Sequence, residues 1–212
     1  MTSNAIRGLR RKKSGLSEVK VAVIGAPGVG KSALIVRFLT RRYIGEYDHQ
    51  SDSRYKGEVL VDGDTVLFEI LDTCPKSIEE LPSRDTIHWA DGILLVYAIT
   101  DRESFNYVRR VRTCADLNNL PLVLVGNKED MIHLRQVSTE EGEILGKDFD
   151  CSFEEVAAAE QVTEVAELFH DLAREVLSTR RKTKQSLLER MLGNKSSRGG
   201  NKNDNSTGGS KD

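Results

Sequence analysis

Eight residues near the start of the chain have the composition and spacing of a phosphate-binding loop. Residues 25–32 read GAPGVGKS, which fits G-x-x-x-x-G-K-[ST] after a strand pattern and before a helical pattern. Small residues let the backbone curl around a polyphosphate, so that consecutive N–H groups and the helix N-terminus face the anion. Lys31 supplies a cation and Ser32 a hydroxyl for Mg²⁺. This phosphate loop (residues 25–32) therefore predicts a polyphosphate site.

A second motif indicates which nucleotide carries the phosphates. The NKED segment (residues 127–130) follows residues 121–126, PLVLVG, which have the pattern of a buried strand. Ligands of open α/β sheets bind at the carboxyl ends of the strands. A carboxylate there can pair with the N1–H and the 2-amino group of guanine, so we predict guanine rather than adenine. The alternative interpretation of NKED is an ordinary polar loop.

The elements that must position these motifs alternate between strand and helix. Apolar runs predict strands over residues 19–25, 58–61, 65–71, 92–99, 121–125 and 149–156. Helical spacing predicts helices over 32–40, around 105–111 and over 162–176. The Asp62-Gly63 pair is a strong hairpin signal. This order predicts an α/β fold with a mainly parallel sheet and one antiparallel edge hairpin.

Two short patterns predict where helices begin and end. Thr100-x-x-Glu103 and Ser138-x-x-Glu141 both have the form of a capping box. Gly146 is a residue on which the second of these helices can end.

Length and composition fit one domain with soft ends. Of the 212 residues, 38% are hydrophobic and 30% are charged. We expect neither a membrane span nor a secretory signal, because no apolar run is long enough and none follows the basic N-terminus. The three cysteines are an odd number without zinc-site spacing, which predicts reduced thiols. We therefore expect a cytoplasmic protein, and leave open a nuclear or membrane-peripheral fraction.

Basic residues are concentrated at the two ends of the chain. Residues 1–17 carry five basic and no acidic side chains, and residues 178–212 carry nine basic and three acidic ones, so the net charge of −2 implies an acidic body. The ends either make weak contact with an anionic membrane or nucleic acid, or are solvated and disordered, which their composition favours. We predict a basic disordered arm over 1–17, a folded domain over 18–178 and a basic flexible tail over 179–212.

The predicted tail contains one short apolar stripe. Its members are Leu187, Leu188, Met191 and Leu192. A short helix over 185–192 that touches a membrane or a partner is one interpretation, and a fraying extension of the last helix is the other.

Four motifs in their order along the chain resemble the Ras superfamily of small GTPases. They are GAPGVGKS, LDT at 71–73, GNKED at 126–130 and VAAAE at 156–160. FLTRRYIGEYD, HWADGILLVY, ITDRESF and RQVSTEEGE further resemble its Ras-related and estrogen-regulated growth inhibitor-like branch. The resemblance covers residues 19–177. It implies a six-stranded P-loop G domain, with helices on both faces of the sheet, that binds GTP or GDP with Mg²⁺.

The resemblance also implies roles for individual residues. Lys31 contacts the β and γ phosphates, Ser32 and Asp72 serve the metal, and Tyr43 stacks on the base. Asn127 braces the loops, Asp130 reads the base, and the N–H of Ala158 meets the guanine carbonyl oxygen. Ala157 stands where the family often has Ser, so one bracing hydrogen bond is missing. The implied nucleotide-binding set is Gly25, Ala26, Pro27, Gly28, Val29, Gly30, Lys31, Ser32, Ala33, Tyr43, Asn127, Lys128, Asp130, Ala158 and Ala159.

The chain departs from the family pattern in the parts that contact the γ-phosphate. Gln50 stands where a Thr of the first switch holds Mg²⁺ and the γ-phosphate. In the second switch, Pro75 has no N–H to donate, and Lys76 stands at the usual Gln position but cannot orient water. Pro27 replaces a Gly where a partner's arginine finger would pass. We therefore assign no catalytic residue, and keep open that Lys76 reaches the γ-phosphate as a cation or is solvated.

These features lead to two main hypotheses. The first is a Ras-like guanine-nucleotide-binding signalling protein with weak or slow GTP hydrolysis, and the alternative is a pseudo-GTPase scaffold that does not discriminate GDP from GTP. We expect effectors or regulators to bind the first switch (residues 43–55) and the second switch (residues 73–88). Neither a prenyl nor a myristoyl motif is present, and we expect a monomer. Nucleic-acid binding through the basic ends is a weaker third hypothesis.

Overall fold

The computed structural model describes residues 16–44, 51–115, 117 and 120–196. Its strands are β1 (Ser17–Gly25), β2 (Ser53–Val61), β3 (Asp64–Asp72), β4 (Gly92–Ala98), β5 (Leu122–Asn127) and β6 (Ser152–Val156). Its α-helices are α1 (Lys31–Thr40), α2 (Arg84–Trp89), α3 (Arg102–Cys114), α4 (Thr139–Phe149) and α5 (Thr163–Ser196), and a 3₁₀ helix covers Glu129–Leu134.

The six strands form one sheet in the order β2-β3-β1-β4-β5-β6. All neighbouring pairs are parallel except β2 and β3, which pair antiparallel from Ser53 opposite Asp72 to Val61 opposite Asp64. Helices surround this sheet, so the predicted α/β class with a mainly parallel sheet and one hairpin is confirmed. The hairpin strands are longer than their apolar patterns, because β2 lies at an edge and its side chains alternate between exposed and half-buried positions.

The centre of the sheet is buried along its length. Every residue of β4 and β5 is buried, as expected for strands that run without a polar alternation between covered faces. On α1 and α5, Phe38 and Phe169 stack with ring centroids 4.2 Å apart. The position of Gly92 leaves room for α5, because a Cβ there would lie 2.9 Å from atoms of Leu172 and Val176. The core thus packs α5 against both α1 and β4.

The predicted start of α3 at Thr100 is wrong by one residue. Asp101 is the N-cap, and its carboxylate accepts hydrogen bonds from the N–H groups of Glu103 and Ser104 at 3.0 and 3.3 Å. A carboxylate satisfies two unpaired helix donors and interacts favourably with the helix dipole, so it outcompetes the Thr hydroxyl. The Ser138–Glu141 capping box of α4 is present as predicted.

Gly146 does not end α4. The helix continues to Phe149, and Asp150 caps it in the left-handed region with φ 53°. A Cβ on Gly146 would lie 2.8 Å from the Cβ of Phe153, so this glycine allows β6 to pack closely against the helix. The predicted strand over 149–156 therefore begins later, at Ser152.

The described chain divides into two compact units. The first comprises residues up to Val176 and contains the sheet, and the second begins at Leu177. The second unit is helical through Ser196, which includes the predicted short helix over 185–192. The side chain of Leu187 is exposed, and the side chains of Leu188, Met191 and Leu192 lie outside the described residues, as does the predicted arm up to residue 15. No helix in the described part of the chain is long and apolar enough to cross a membrane.

Two buried tyrosines differ in how their hydroxyls are satisfied. No hydrogen-bond partner for the Tyr97 hydroxyl exists among the described residues, whereas the Tyr107 hydroxyl donates to the carbonyl of Glu80 at 2.9 Å. Burial raises the pKa of Tyr107 to about 12 and that of Tyr97 further, so both hydroxyls stay protonated at neutral pH. A buried polar group without a partner costs free energy that a paired one does not.

We expect Tyr97→Phe to increase the free energy of unfolding by about 1 kcal/mol, because it removes a buried unpaired hydroxyl. The matched variant Tyr107→Phe should lower it by about 1 kcal/mol, because it removes a hydrogen bond. Urea unfolding followed by circular dichroism measures both changes. A less stable Tyr97→Phe protein would contradict the prediction.

Candidate nucleotide-binding site

The parallel strands bring the separated motifs to one edge of the sheet. Register pairs place Val23 beside Asp72 at the ends of β1 and β3, and Gly25 beside Val96 between β1 and β4. Asn127, the last residue of β5, pairs with Val156, the last residue of β6. The phosphate loop, the NKED segment and VAAAE therefore all follow strands at the same carboxyl edge, where ligands of such sheets bind.

Two glycines of the phosphate loop are required by close contacts, one with backbone and one with a side chain. A Cβ on Gly25 would lie 2.3 Å from the carbonyl oxygen of Val96. Gly30 has φ 96°, and a Cβ there would lie 2.3 Å from the Nδ2 atom of Asn127. Any larger residue at either position would push the loop away from the neighbouring strand or from Asn127. The loop is therefore held tightly against the edge of the sheet.

Lys31 lies folded back over the phosphate loop. Its side chain is only 7% exposed, and Nζ donates to the carbonyls of Gly25 at 2.9 Å and Ala26 at 2.8 Å. Burial lowers the pKa of Lys31 to about 8, and the nearby charge of Asp72 partly opposes this shift. The ammonium is thus desolvated; among the described residues it donates to two carbonyl oxygens and lies near the carboxylates of Asp72 and Asp52. A buried cation with no closer counter-charge among these residues favours a bound anion.

Ser32 and Asp72 form the pair predicted to serve a metal. The Ser32 hydroxyl donates to Asp72 Oδ2 at 2.5 Å, and both residues are buried. Hydroxyl and carboxylate oxygens are the hard ligands that Mg²⁺ prefers, so this pair fits that ion. Within the described residues there is no cluster of three or more His, Cys, Asp or Glu side chains that could hold a metal. A magnesium ion here would thus take further ligands from phosphate and water.

A cavity of about 260 Å³ lies between the phosphate loop and the second switch. Lys31, Ser32 and Asp72 line it on one side, and Cys74, Pro75 and Lys76 line it on the other. It lies beside the Lys31 ammonium, where the terminal phosphate of a bound polyphosphate is expected. Lys76 lines this cavity, whereas Gln50 lies outside the described residues.

The backbone of the second switch donates its hydrogen bonds within the protein. The N–H of Cys74 donates to Asp52 Oδ1 at 2.7 Å, and the N–H of Lys76 donates to Glu80 Oε2 at 2.6 Å. Pro75 between them has no N–H. Both N–H groups within positions 74–76, which face the cavity, are thus already donated to carboxylates.

Helix α3 also holds the second switch, through two of its side chains. The hydroxyl of Tyr107 donates to the carbonyl of Glu80, and Arg110 donates to the carbonyl of Ile78 and forms an ion pair with Glu79 at 3.1 Å. These contacts fix residues 78–80 through the protein alone. These contacts could not be predicted from the sequence, because Tyr107 and Arg110 lie about thirty positions away from residues 78–80 along the chain.

Asn127 joins the two halves of the site. Its amide is 2% exposed, and Nδ2 donates to the carbonyl of Val29 at 2.8 Å. Its Oδ1 accepts from the N–H of Ala158 at 3.2 Å. The predicted contact of that N–H with guanine would therefore have to share or replace this hydrogen bond. Lys128, with φ 69°, precedes the 3₁₀ helix whose first turn carries the exposed Asp130.

Arg37 is a site residue that the sequence analysis missed. It is 7% exposed, its Nε donates to the carbonyl of Ala158 at 2.7 Å, and its Nη2 donates to that of Ala159. Its guanidinium lies 5.7 Å from the ring centre of the half-exposed Tyr43. The available signal was an arginine within the otherwise apolar run of α1, LIVRFL. A buried arginine needs acceptors, and here the loop after β6 supplies them.

Comparisons with known proteins agree with this geometry. The Ras family profile matches residues 20–178. The human Ras-related and estrogen-regulated growth inhibitor is 44% identical over 164 residues, which cover 76% of this chain and 82% of that protein. The zebrafish Ras-like protein family member 11B is 41% identical over 165 residues, which cover 73% and 67%. With the glycine loop, Lys31 and the NKED segment at one sheet edge, the chain belongs to the Ras family of small GTP-binding signalling proteins.

Proposed function

We propose that this chain binds GDP and GTP with Mg²⁺ and hydrolyses GTP slowly. The observation that carries the proposal is a contrast within one site. Asn127 joins the phosphate loop to the loop that follows β6 through two hydrogen bonds. By contrast, positions 74–76 of the second switch have no N–H left to donate to a γ-phosphate. Tight nucleotide binding with poor recognition of the third phosphate follows from this arrangement.

The nucleotide roles follow from the positions of the side chains. Lys31 would exchange its two carbonyl acceptors for β and γ phosphate oxygens, which are stronger acceptors. Asp130 would accept from the N1–H and 2-amino group of guanine, and Tyr43 would cover the base. Ser32 and Asp72 would hold Mg²⁺, which neutralises phosphate charge.

The altered second switch explains why hydrolysis should be slow. Each charge-assisted hydrogen bond lost to the γ-phosphate is worth roughly 1.5 to 3 kcal/mol. Lys76 has no acceptor with which to orient an attacking water, unlike the Gln that usually stands there. Lys76 lines the cavity and is exposed, so it remains either a cation for the phosphate or a solvated side chain.

One observation favours the alternative of a scaffold that does not discriminate GDP from GTP. Tyr107 and Arg110 hold residues 78–80 of the second switch through contacts that involve no ligand. A switch needs a partner that binds one nucleotide form several-fold better than the other. Equal capture of a partner by the GDP-bound and GTP-bound protein would support the scaffold. We propose that such partners bind the first switch (43–55) and the second switch (73–88).

A single-turnover assay tests the proposed activity. The protein is loaded with GTP and Mg²⁺, and the appearance of GDP is followed for hours by chromatography. We expect conversion that is slow but faster than nucleotide loss. The control is Lys31→Ala, which should fail to retain either nucleotide. Retained GTP without conversion would support the scaffold, and unchanged GDP affinity in the Lys31 variant would refute the role of the phosphate loop.

Restoring the family pattern in the second switch should accelerate hydrolysis. The double variant Pro75→Gly with Lys76→Gln returns an N–H for the γ-phosphate and an amide that can orient water. We expect a rate increase of about tenfold or more in the same assay, since each restored interaction is worth more than 1 kcal/mol. An unchanged rate would place the limiting defect at Gln50 or Pro27.

The buried Lys31 should make the nucleotide-free protein more stable at alkaline pH. Its pKa is about 8 when folded and 10.5 when unfolded, so between these values the unfolded chain binds the extra proton. Its destabilising contribution is complete below pH 8 and is lost as the pH rises towards 10.5. Relative to Lys31→Met, the wild type should gain about 2 kcal/mol in unfolding free energy between pH 7 and 9.5. Urea unfolding measures this difference, and parallel curves would contradict it.

A further inference from the structure

The loop that follows β6 has no hydroxyl at Ala157, but the side chain of Gln161 makes hydrogen bonds that hold it. Gln161 Oε1 accepts from the N–H of Ala157 at 2.8 Å, and the N–H of Gln161 donates to the carbonyl of Ala157 at 2.8 Å. The side chain and the backbone of one residue thus close the loop of residues 157–161 on itself. Ala157 is 1% exposed, so its N–H has no access to water and depends on this acceptor.

The other end of the same amide reaches the NKED segment. Gln161 Nε2 donates to Glu129 Oε2 at 3.0 Å. An amide has one acceptor and one donor end, and only this orientation satisfies both an N–H and a carboxylate. Glu129 precedes Asp130, the residue proposed to read the base, in the first turn of the 3₁₀ helix. The bridge therefore joins the loops that follow β5 and β6 at the position where the base should lie.

We propose that Gln161 is a positioning residue for guanine recognition, which takes over the brace that a serine at position 157 would provide. The proposal rests on the proposed function. Gln161 is not assigned a contact with nucleotide or metal; it fixes the peptide of Ala157 next to Ala158, and the carboxylate of Glu129 next to Asp130. Asn127 and Arg37 hold the same loop through Ala158, and Gln161 ties it to Glu129, the neighbour of the Asp130 carboxylate proposed to read the base.

The test measures GDP dissociation and base discrimination in the full chain. GDP release is followed with a fluorescent GDP analogue in excess unlabelled GDP, and GDP is then competed against inosine diphosphate, which lacks the 2-amino group. We expect Gln161→Ala to release GDP about fivefold to tenfold faster, as expected for one lost bridge of hydrogen bonds. Its preference for GDP over inosine diphosphate should fall by a similar factor, because the Asp130 carboxylate is less well fixed.

Three variants separate a positioning role from a general structural one. Ala157→Ser should change little in the wild type but should restore slow GDP release and base preference in Gln161→Ala. Glu129→Gln keeps an acceptor for the Gln161 amide and should resemble the wild type. Glu129→Ala removes the bridge from its other end and should reproduce the Gln161→Ala phenotype, which keeps the test decisive if that variant folds poorly.

The outcomes distinguish this inference from the proposed function. If the wild type does not bind GDP, the proposed function fails and the inference fails with it. If the wild type binds GDP while Gln161→Ala keeps the same release rate and base preference, the inference alone is overturned. Equal loss of affinity for both nucleotides without rescue by Ala157→Ser would also overturn it, because that result describes only a weakened fold.

Discussion

The buried amide of Asn127 is the interaction on which both halves of the candidate site depend. It donates to Val29 in the phosphate loop and accepts from Ala158 after β6, and it is nearly excluded from water. Gly30 must be a glycine partly because a Cβ there would overlap this amide. When such an amide is buried, leaving either end unpaired costs more free energy than its hydrogen bond contributes. The phosphate loop, the end of β5 and the loop after β6 are therefore held in one arrangement.

Helix α1 provides a second connection between the phosphate loop and the loop that follows β6. At its beginning it carries Lys31 and Ser32, which we propose for phosphate and metal. Six residues after Lys31 it carries Arg37, which donates to the carbonyls of Ala158 and Ala159. One rigid helix therefore sets the distance between the phosphate end and the base end of the site. The sheet supplies the other constraint, because its parallel strands end together. The framework of the candidate site is thus held by two independent constraints.

The second switch makes its hydrogen bonds within the protein. Its N–H groups at Cys74 and Lys76 donate to carboxylates, and α3 holds the segment that follows. A γ-phosphate can shift an equilibrium only by as much as it interacts differently with the two states. A switch that already has its hydrogen bonds and offers few to the phosphate would respond weakly, as both the proposed slow hydrolysis and the scaffold alternative require.

The sequence by itself determined the fold class, the phosphate loop and the NKED segment, because local spacing and apolar runs encode strand, loop and helix. It misplaced the start of α3 and the end of α4, where Asp101 and the packing of Gly146 outweighed a capping pattern and a glycine signal. Only the tertiary structure showed that Arg37 and Gln161 hold the loop that follows β6. The hydrogen-bond partners of Arg37 lie far away along the chain, and those of Gln161 depend on how its side-chain amide is oriented. Such hydrogen bonds form only when packing has already excluded water and brought the strand ends together.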